Sequence, residues 1–266
     1  MTVFMEEYPE FPWAQPWAQH SADVYLKSLG LPVYAIGSLM GNARVAGHQD
    51  GGVLSYGQEW IHIITRGVVK ETTSHGTMRL WRRGMILGDI SRVMLRKPKA
   101  SDSNSLGAGS HLTFLGNGAS ISLTARTFAT LIEKEPVLAL FLAQLTNERS
   151  QIVEAVYAAS KAAPIVRVAR LLDYLAQRTR TSDVGDRMRF TRTGVHPVPD
   201  GALTLNGPSQ AEIAIALGLG RTTVEKAIAS LRADGILNAL EPGTRSNRYY
   251  EIMDFSHLKS LARSES

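Results

Sequence analysis

The sequence predicts an α+β protein in three parts: an antiparallel β-roll or jelly-roll, one long helix, and a small C-terminal domain built on two short helices and a hairpin. Three observations predict it. Between residues 33 and 125, short apolar runs are cut by Gly, Asn and Ser at roughly ten-residue spacing, the texture of an antiparallel sandwich or barrel. After Pro136 the apolar period becomes helical. Near the end, Ser209 with Glu212, and then Gly218 and Gly220, punctuate two helical runs. These signals divide the chain into residues 1–32, an arm; 33–134, the β-roll; 135–163, the long helix and a joint; and 164–266, the C-terminal domain.

In the arm, Trp13 and Trp17 stand among Pro9, Pro12 and Pro16 without a helical or strand period, so an extended segment is expected. The strand region follows, with Ile61, Ile63 and Ile64 running into Gly67, Met78, Leu80 and Trp81 before Gly84, and Leu112, Phe114 and Leu115 before Gly116. The polar, small-residue stretch 96–110 reads as an exposed loop. In the long helix, Leu138, Leu142, Leu145, Ile152 and Val156 form one apolar stripe, with Pro136 at the start. Such a stripe fits a seam between two copies of the helix, and it equally fits a helix covering its own sheet. Pro164 marks a joint before a second helical run. Beyond it, Met188 and Phe190 pair in expectation with Leu203 and Leu205, and Tyr249–Ile252 ends the chain as a strand.

The chain has 266 residues, 44% hydrophobic and 20% charged, and no cysteine. That is enough chain to bury a core without staples. Lacking cysteine, it has no disulfide framework, thiolate zinc site, cysteine-ligated iron–sulfur cluster or cysteine nucleophile. No apolar run reaches the roughly 18 residues of a membrane span, and Glu6, Glu7 and Glu10 do not make a basic leader, so the cytoplasm is the expected location. Residues 161–266 hold 15 Lys/Arg against 11 Asp/Glu, whereas residues 1–160 hold 14 against 13. The basic excess therefore lies in the C-terminal part, where it suits a polyanionic partner.

The sharpest local pattern is residues 209–235. Ser209 and Glu212 form a capping box, Ile213, Ala214 and Leu217 make an inward face, and Gly218 ends the first helix. A second helix from Arg221 carries Val224, Ile228 and Leu231 inward and stops at Gly235. Two short helices joined this way form a helix-turn-helix, whose second helix presents its first turn to the major groove of double-stranded DNA. Here that turn holds Arg221, Thr222, Thr223, Glu225 and Lys226. Arg221 can bond a guanine edge, and Thr223 a phosphate or a thymine methyl. Ser209 and Gln210, at a helix N-terminus, suit phosphate contact, and Arg245 and Arg248 lie on a hairpin read as a wing over the adjacent backbone.

The order of parts resembles the Crp/Fnr family of transcription regulators over roughly residues 33–252. Trp60–Lys70 resembles a strand-to-turn segment of the family's cyclic-nucleotide-binding-like β-roll, Arg83–Ile90 its approach to the phosphate cassette, and Arg167–Leu172 the helix that opens the DNA domain. Glu212–Gly218 with Arg221–Val224 resembles the recognition motif. The resemblance implies a homodimer across the long helix (Leu138, Leu142, Leu145, Ile152, Val156), with two recognition helices one DNA turn apart, roughly 34 Å. It further implies RNA polymerase as a partner, base reading by Arg221, Thr222 and Lys226, and no enzymatic activity. Thr222 stands where members often carry a Glu that accepts from cytosine.

The same resemblance places a ligand pocket at Gly88, Asp89, Ile90, Lys99, Ile152 and Val153. Members that bind cyclic AMP carry Gly-Glu-Leu followed by Arg-Ser there, and a Thr-Ser pair on the long helix. In this chain those positions read Gly88-Asp89-Ile90, Lys99-Ala100-Ser101 and Ile152-Val153. A forked guanidinium and two hydroxyls are thus missing, so the expectation is a regulator independent of cyclic AMP, without a cofactor or metal. Two alternatives stand beside it. One is a cyclic-nucleotide switch with unusual ligand contacts; the other is a metal-dependent cupin-like enzyme, for which the seven histidines offer no His-x-His pair.

Overall fold

A computed structural model describes residues 16–54, 59–73, 75–94, 110–158, 161–176, 188–191, 194–197, 203–238 and 248–264 of the chain. The fold is α+β. Helices α1 (Pro16–Ser28) and α2 (Val33–Asn42) precede strands β1 (Arg44–His48), β2 (Trp60–Arg66), β3 (Val69–Thr72), β4 (Met78–Trp81) and β5 (Ile86–Leu87). A short α3 (Ser91–Met94) leads to β6 (His111–Phe114) and β7 (Gly118–Thr124). The strands form two antiparallel sheets, ordered β1-β7-β2-β5 and β4-β3-β6, which make the roll.

Side-chain alternation along the first sheet divides the interior in two. On β2, Ile61 and Ile63 join a core with Val45, Ile86, Ile121 and Leu123, closed by α1, α2 and the following helices α4 (Ala125–Lys134) and α5 (Val137–Ile152). Ile64, pointing the other way, joins Leu80, Trp81, Leu112 and Phe114 between the sheets. The arm expected to be extended is instead helical from Pro16. Its buried face is Ala18, Ala22, Tyr25 and Leu26, a four-residue rhythm half of which is alanine and therefore faint in the sequence. Strand content likewise starts only at β1, because residues 33–42 form α2.

Beyond α5 the helix widens into one π-turn (Val153–Tyr157), where the Ala158 N–H reaches the Val153 carbonyl. Helix α6 (Pro164–Leu175) then opens the C-terminal domain, with Pro164 in its first turn. The expected hairpin is paired differently. Strand β8 (Met188–Thr191) pairs with β9 (Gly194–Pro197), and β10 (Leu203–Asn206) pairs with the distant β11 (Tyr249–Ile252). Helices α7 (Gln210–Leu217) and α8 (Arg221–Ala233) lie between β10 and β11, and Leu237 adds an antiparallel bridge to Ile252.

A last helix, α9 (Phe255–Arg263), follows the strand at which the sequence reading stopped. Asp254 caps it by accepting from the His257 N–H at 2.8 Å, and Leu258 and Ala262 bury against α6. Arg170 closes its other end, donating to the carbonyls of Ala262 and Ser264. The inter-sheet core of the roll runs without a break into Val168, Leu172, Ile213, Val224 and Ile228, so the C-terminal domain and the roll share one apolar cluster.

Candidate nucleic-acid interface

The helix pair is built as its sequence signals require. Ser209 is the N-cap of α7: its hydroxyl accepts from the Glu212 N–H at 3.2 Å, while the Glu212 carboxylate accepts from the Ser209 N–H at 2.9 Å. Gly218 ends α7 with φ 60°, a left-handed conformation that favours glycine. Val224, Ala227, Ile228 and Leu231 anchor α8 and leave its first turn outward. There Arg221, Thr222 and Lys226 are exposed and Thr223 is half-buried. Arg221 donates through Nε to Glu225 Oε1 at 2.8 Å, with two thirds of its side chain (67%) still open.

The other expected DNA contacts sit differently. The Ser209 hydroxyl is committed to Glu212, and Gln210 is half-buried. Glu212 is also held by the roll, since Lys70 on β3 donates to its Oε1 at 3.0 Å. Burial would raise the Glu212 carboxyl, but hydrogen bonds from Ser209 and Lys70 hold it below the usual range. Arg248 stands 3.6 Å from Asp50 of the roll and 3.9 Å from Glu212. Arg245 lies outside the described residues.

Strand β4 adds a second set of ties. The Tyr157 hydroxyl both accepts from the Leu80 N–H at 2.8 Å and donates to the Leu80 carbonyl at 2.6 Å. The Arg82 N–H donates to the Tyr174 hydroxyl at 3.2 Å. The end of the long helix and the first helix of the C-terminal domain are therefore fastened to β4 and to the residue that follows it. Burial pushes both phenols well above their ordinary range, so they act as neutral donors and acceptors.

The residues expected around a ligand are largely engaged within the chain. Gly88 has φ 112°, and a Cβ there would collide with the Trp60 carbonyl oxygen, so the turn needs glycine. Asp89 is buried and bound by Ser91 and by Arg92, whose Nε is 3.0 Å away. Ile90 packs on the helix-covered core, Ile152 and Val153 on the inter-sheet one. Lys99 lies outside the described residues.

Two polar groups that the sequence reading did not assign fill the interior of the roll. Glu71 on β3 accepts from Trp81 Nε1 at 2.7 Å and from Arg149 Nη2 at 3.5 Å, and the Arg149 guanidinium lies 5.1 Å from the Trp81 ring. The signal for Arg149 was its phase, since it follows Leu138, Leu142 and Leu145 in the inward row of α5, where a cation needs a buried partner. On the facing sheet, His62 Nδ1 meets Ser122 Oγ at 2.8 Å, Ser122 meets Ser120 at 3.4 Å, and Ser120 meets His48 Nε2 at 2.9 Å. Burial lowers both imidazoles to about 4, so they are neutral near pH 7. Among the described residues no group of three or more His, Asp or Glu side chains is placed to hold a metal ion.

Of the stripe expected between two copies of the long helix, Leu138, Leu142, Leu145 and Val156 are enclosed by the chain's own core, and Ile152 is half-buried. Periodicity locates an apolar face but cannot say whose surface covers it. The opposite face of α5, with Leu140 at 73% exposure, Ala143, Asn147 and Gln151, is the open one. No helix among the described residues is long and apolar enough to cross a membrane.

No protein-family model matches the chain, and no curated protein matches it in sequence. Solved structures do match it in fold. A protein of Ruegeria pomeroyi described as cyclic-nucleotide-binding aligns with TM-score 0.57 and 17% identity, over 93% of this chain and all of that one. A Crp/Fnr-family transcriptional regulator of Thermus thermophilus aligns with TM-score 0.53 and 19% identity, over 84% of this chain and 100% of that one. The c-di-GMP-responsive global regulator of Xanthomonas campestris aligns with TM-score 0.54 and 12% identity, over 83% of this chain and 98% of that one.

Proposed function

Starting from the fold of Crp/Fnr-type transcription regulators, we propose that this chain is a sequence-specific DNA-binding regulator that acts as a homodimer and does not require cyclic AMP. One observation carries the reading. A helix pair, with α7 capped at both ends and α8 anchored by its buried row, holds the first turn of α8 outward, with Arg221, Thr222 and Lys226 exposed to meet base edges. The partner copy packs on the open face of α5, around Leu140, Ala143 and Asn147, and two α8 helices then meet successive major grooves. RNA polymerase is the further partner of a regulator of this kind, the location is cytoplasmic, and no catalysis is part of the reading.

Independence of cyclic AMP rests on how the interior of the roll is filled. Glu71, Trp81 and Arg149 bond one another, and Asp89 is bound by Ser91 and Arg92. A nucleotide entering there would have to break these contacts before making its own. The ties of Tyr157 to Leu80 and of Tyr174 to Arg82 support a joint whose position is set by the chain itself, so a ligand could change DNA affinity only by preferring another arrangement.

The test is selection from a random duplex pool at one fixed salt concentration, without additive and with cyclic AMP. A palindrome enriched equally in both arms is expected. Enrichment only with the nucleotide would leave a cyclic-nucleotide switch in its place, and no enrichment in either arm would overturn the DNA reading.

A further inference from the structure

We infer that Glu225 is a specificity-determining residue of the recognition helix: it orients Arg221 and offers its second carboxylate oxygen to the amino group of a cytosine. The inference rests on the DNA reading above and deepens it. Arg221 and Glu225 stand one turn apart on α8, and the bond runs from Nε to Oε1 at 2.8 Å. Among the described residues nothing else bonds to either side chain. Contact through Nε fixes the guanidinium plane yet leaves both terminal nitrogens as a two-pronged donor, the geometry that meets guanine O6 and N7. Without that bond a long exposed arginine samples many rotamers, and ordering it at the interface costs affinity.

Glu225 Oε2 remains unengaged on the same exposed face. A carboxylate in the major groove has one good base partner, the cytosine N4 amino group, and is repelled by phosphates. Four helical residues rise about 6 Å, so the two readers span roughly two base steps of 3.4 Å. The carboxylate that Thr222 lacks is thus supplied one turn later, aimed at a neighbouring base pair. The site read by Arg221 and Glu225 is a guanine with a cytosine within two base pairs of it.

Selection from a random duplex pool by the wild type, Glu225→Ala and Glu225→Gln, with affinities on the selected and on scrambled duplexes, tests this. Glu225→Ala should lower discrimination at the cytosine position about tenfold and blur the guanine, while binding to scrambled DNA stays level or rises. A damaged fold would lower both affinities together. Glu225→Gln keeps an acceptor for Arg221 but adds an amide donor, so guanine should persist while adenine displaces cytosine. Identical sites for the wild type and Glu225→Ala would overturn the inference and leave the DNA reading standing. No site for the wild type would overturn both.

Discussion

Inside the roll, two sets of polar groups are bonded among themselves; on the first turn of α8 they face water. Glu71, Arg149 and Trp81 close one network between the sheets, and His48, Ser120, Ser122 and His62 close another. On α8, Thr222 and Lys226 stand open, and Arg221 keeps its terminal nitrogens free. Both regions are rich in chemistry-bearing side chains, so their number alone distinguishes neither. What distinguishes them is the destination of each donor. A buried network left incomplete costs stability, whereas exposed donors cost little until a partner desolvates them.

The strongest way to break this contrast is to open the interior. Arg149→Ala strands the Glu71 carboxylate between the sheets and should lower unfolding free energy by about 3 kcal/mol, read as a shift in urea midpoint. Arg221→Ala should leave that midpoint within about 0.5 kcal/mol while costing about 2 kcal/mol of affinity for the selected duplex only. Equal losses on selected and scrambled DNA would refute its assignment as a base reader.

A third variant sharpens the contrast through pH. His62 titrates at about 4 in the fold against 6.5 when exposed, so between these values the unfolded chain binds the proton more readily. Its contribution is full above pH 6.5 and is lost as pH falls toward 4. Unfolding free energy should drop by about 1 to 2 kcal/mol between pH 7 and pH 5, with a smaller share from the less buried His48. His62→Gln should flatten that slope, and an unchanged slope would show that other groups carry it. The smallest effect is expected where the two regions meet. Lys70→Ala removes a half-buried bond to Glu212 but spares the Ser209 capping box, costing about 0.5 to 1 kcal/mol. Hydrogen exchange should rise in the first turn of α7 and stay constant in α8.

The sequence announced its elements most clearly where local chemistry alone decides them. Ser209 with Glu212, Gly218 at positive φ, and the inward row Val224, Ile228 and Leu231 stand where spacing put them. The runs around Ile61 to Ile64, Met78 to Trp81 and Leu112 to Phe114 are strands for the same reason. Pairing is another matter, because it depends on partners far along the chain. Leu203 to Asn206 finds Tyr249 to Ile252 rather than the nearer Met188 to Thr191. The α5 stripe was legible as apolar, but only the presence of the sheet showed that Leu138, Leu142 and Leu145 are covered by their own chain. The helix at Pro16 hid behind alanines, and α9 behind a short apolar row of Leu258, Leu261 and Ala262. In the candidate site, single residues such as Arg221 were readable, whereas the bond to Glu225 and the hold of Lys70 on Glu212 exist only once backbones are placed.

The π-turn after α5 carries a consequence for how the chain can change in length. A turn bonded from residue 158 back to residue 153 holds one residue more than an α-helical turn. Removing one residue between Val153 and Val156 would close it into ordinary helix without rotating what comes before against what comes after. Arg149 would still point at Glu71, and the Tyr157 hydroxyl would still find β4. Elsewhere along α5 the loss of one residue swings every later side chain by about 100°. The stretch before the joint is thus a place on the long helix where descent can drop a residue and keep both ends aimed.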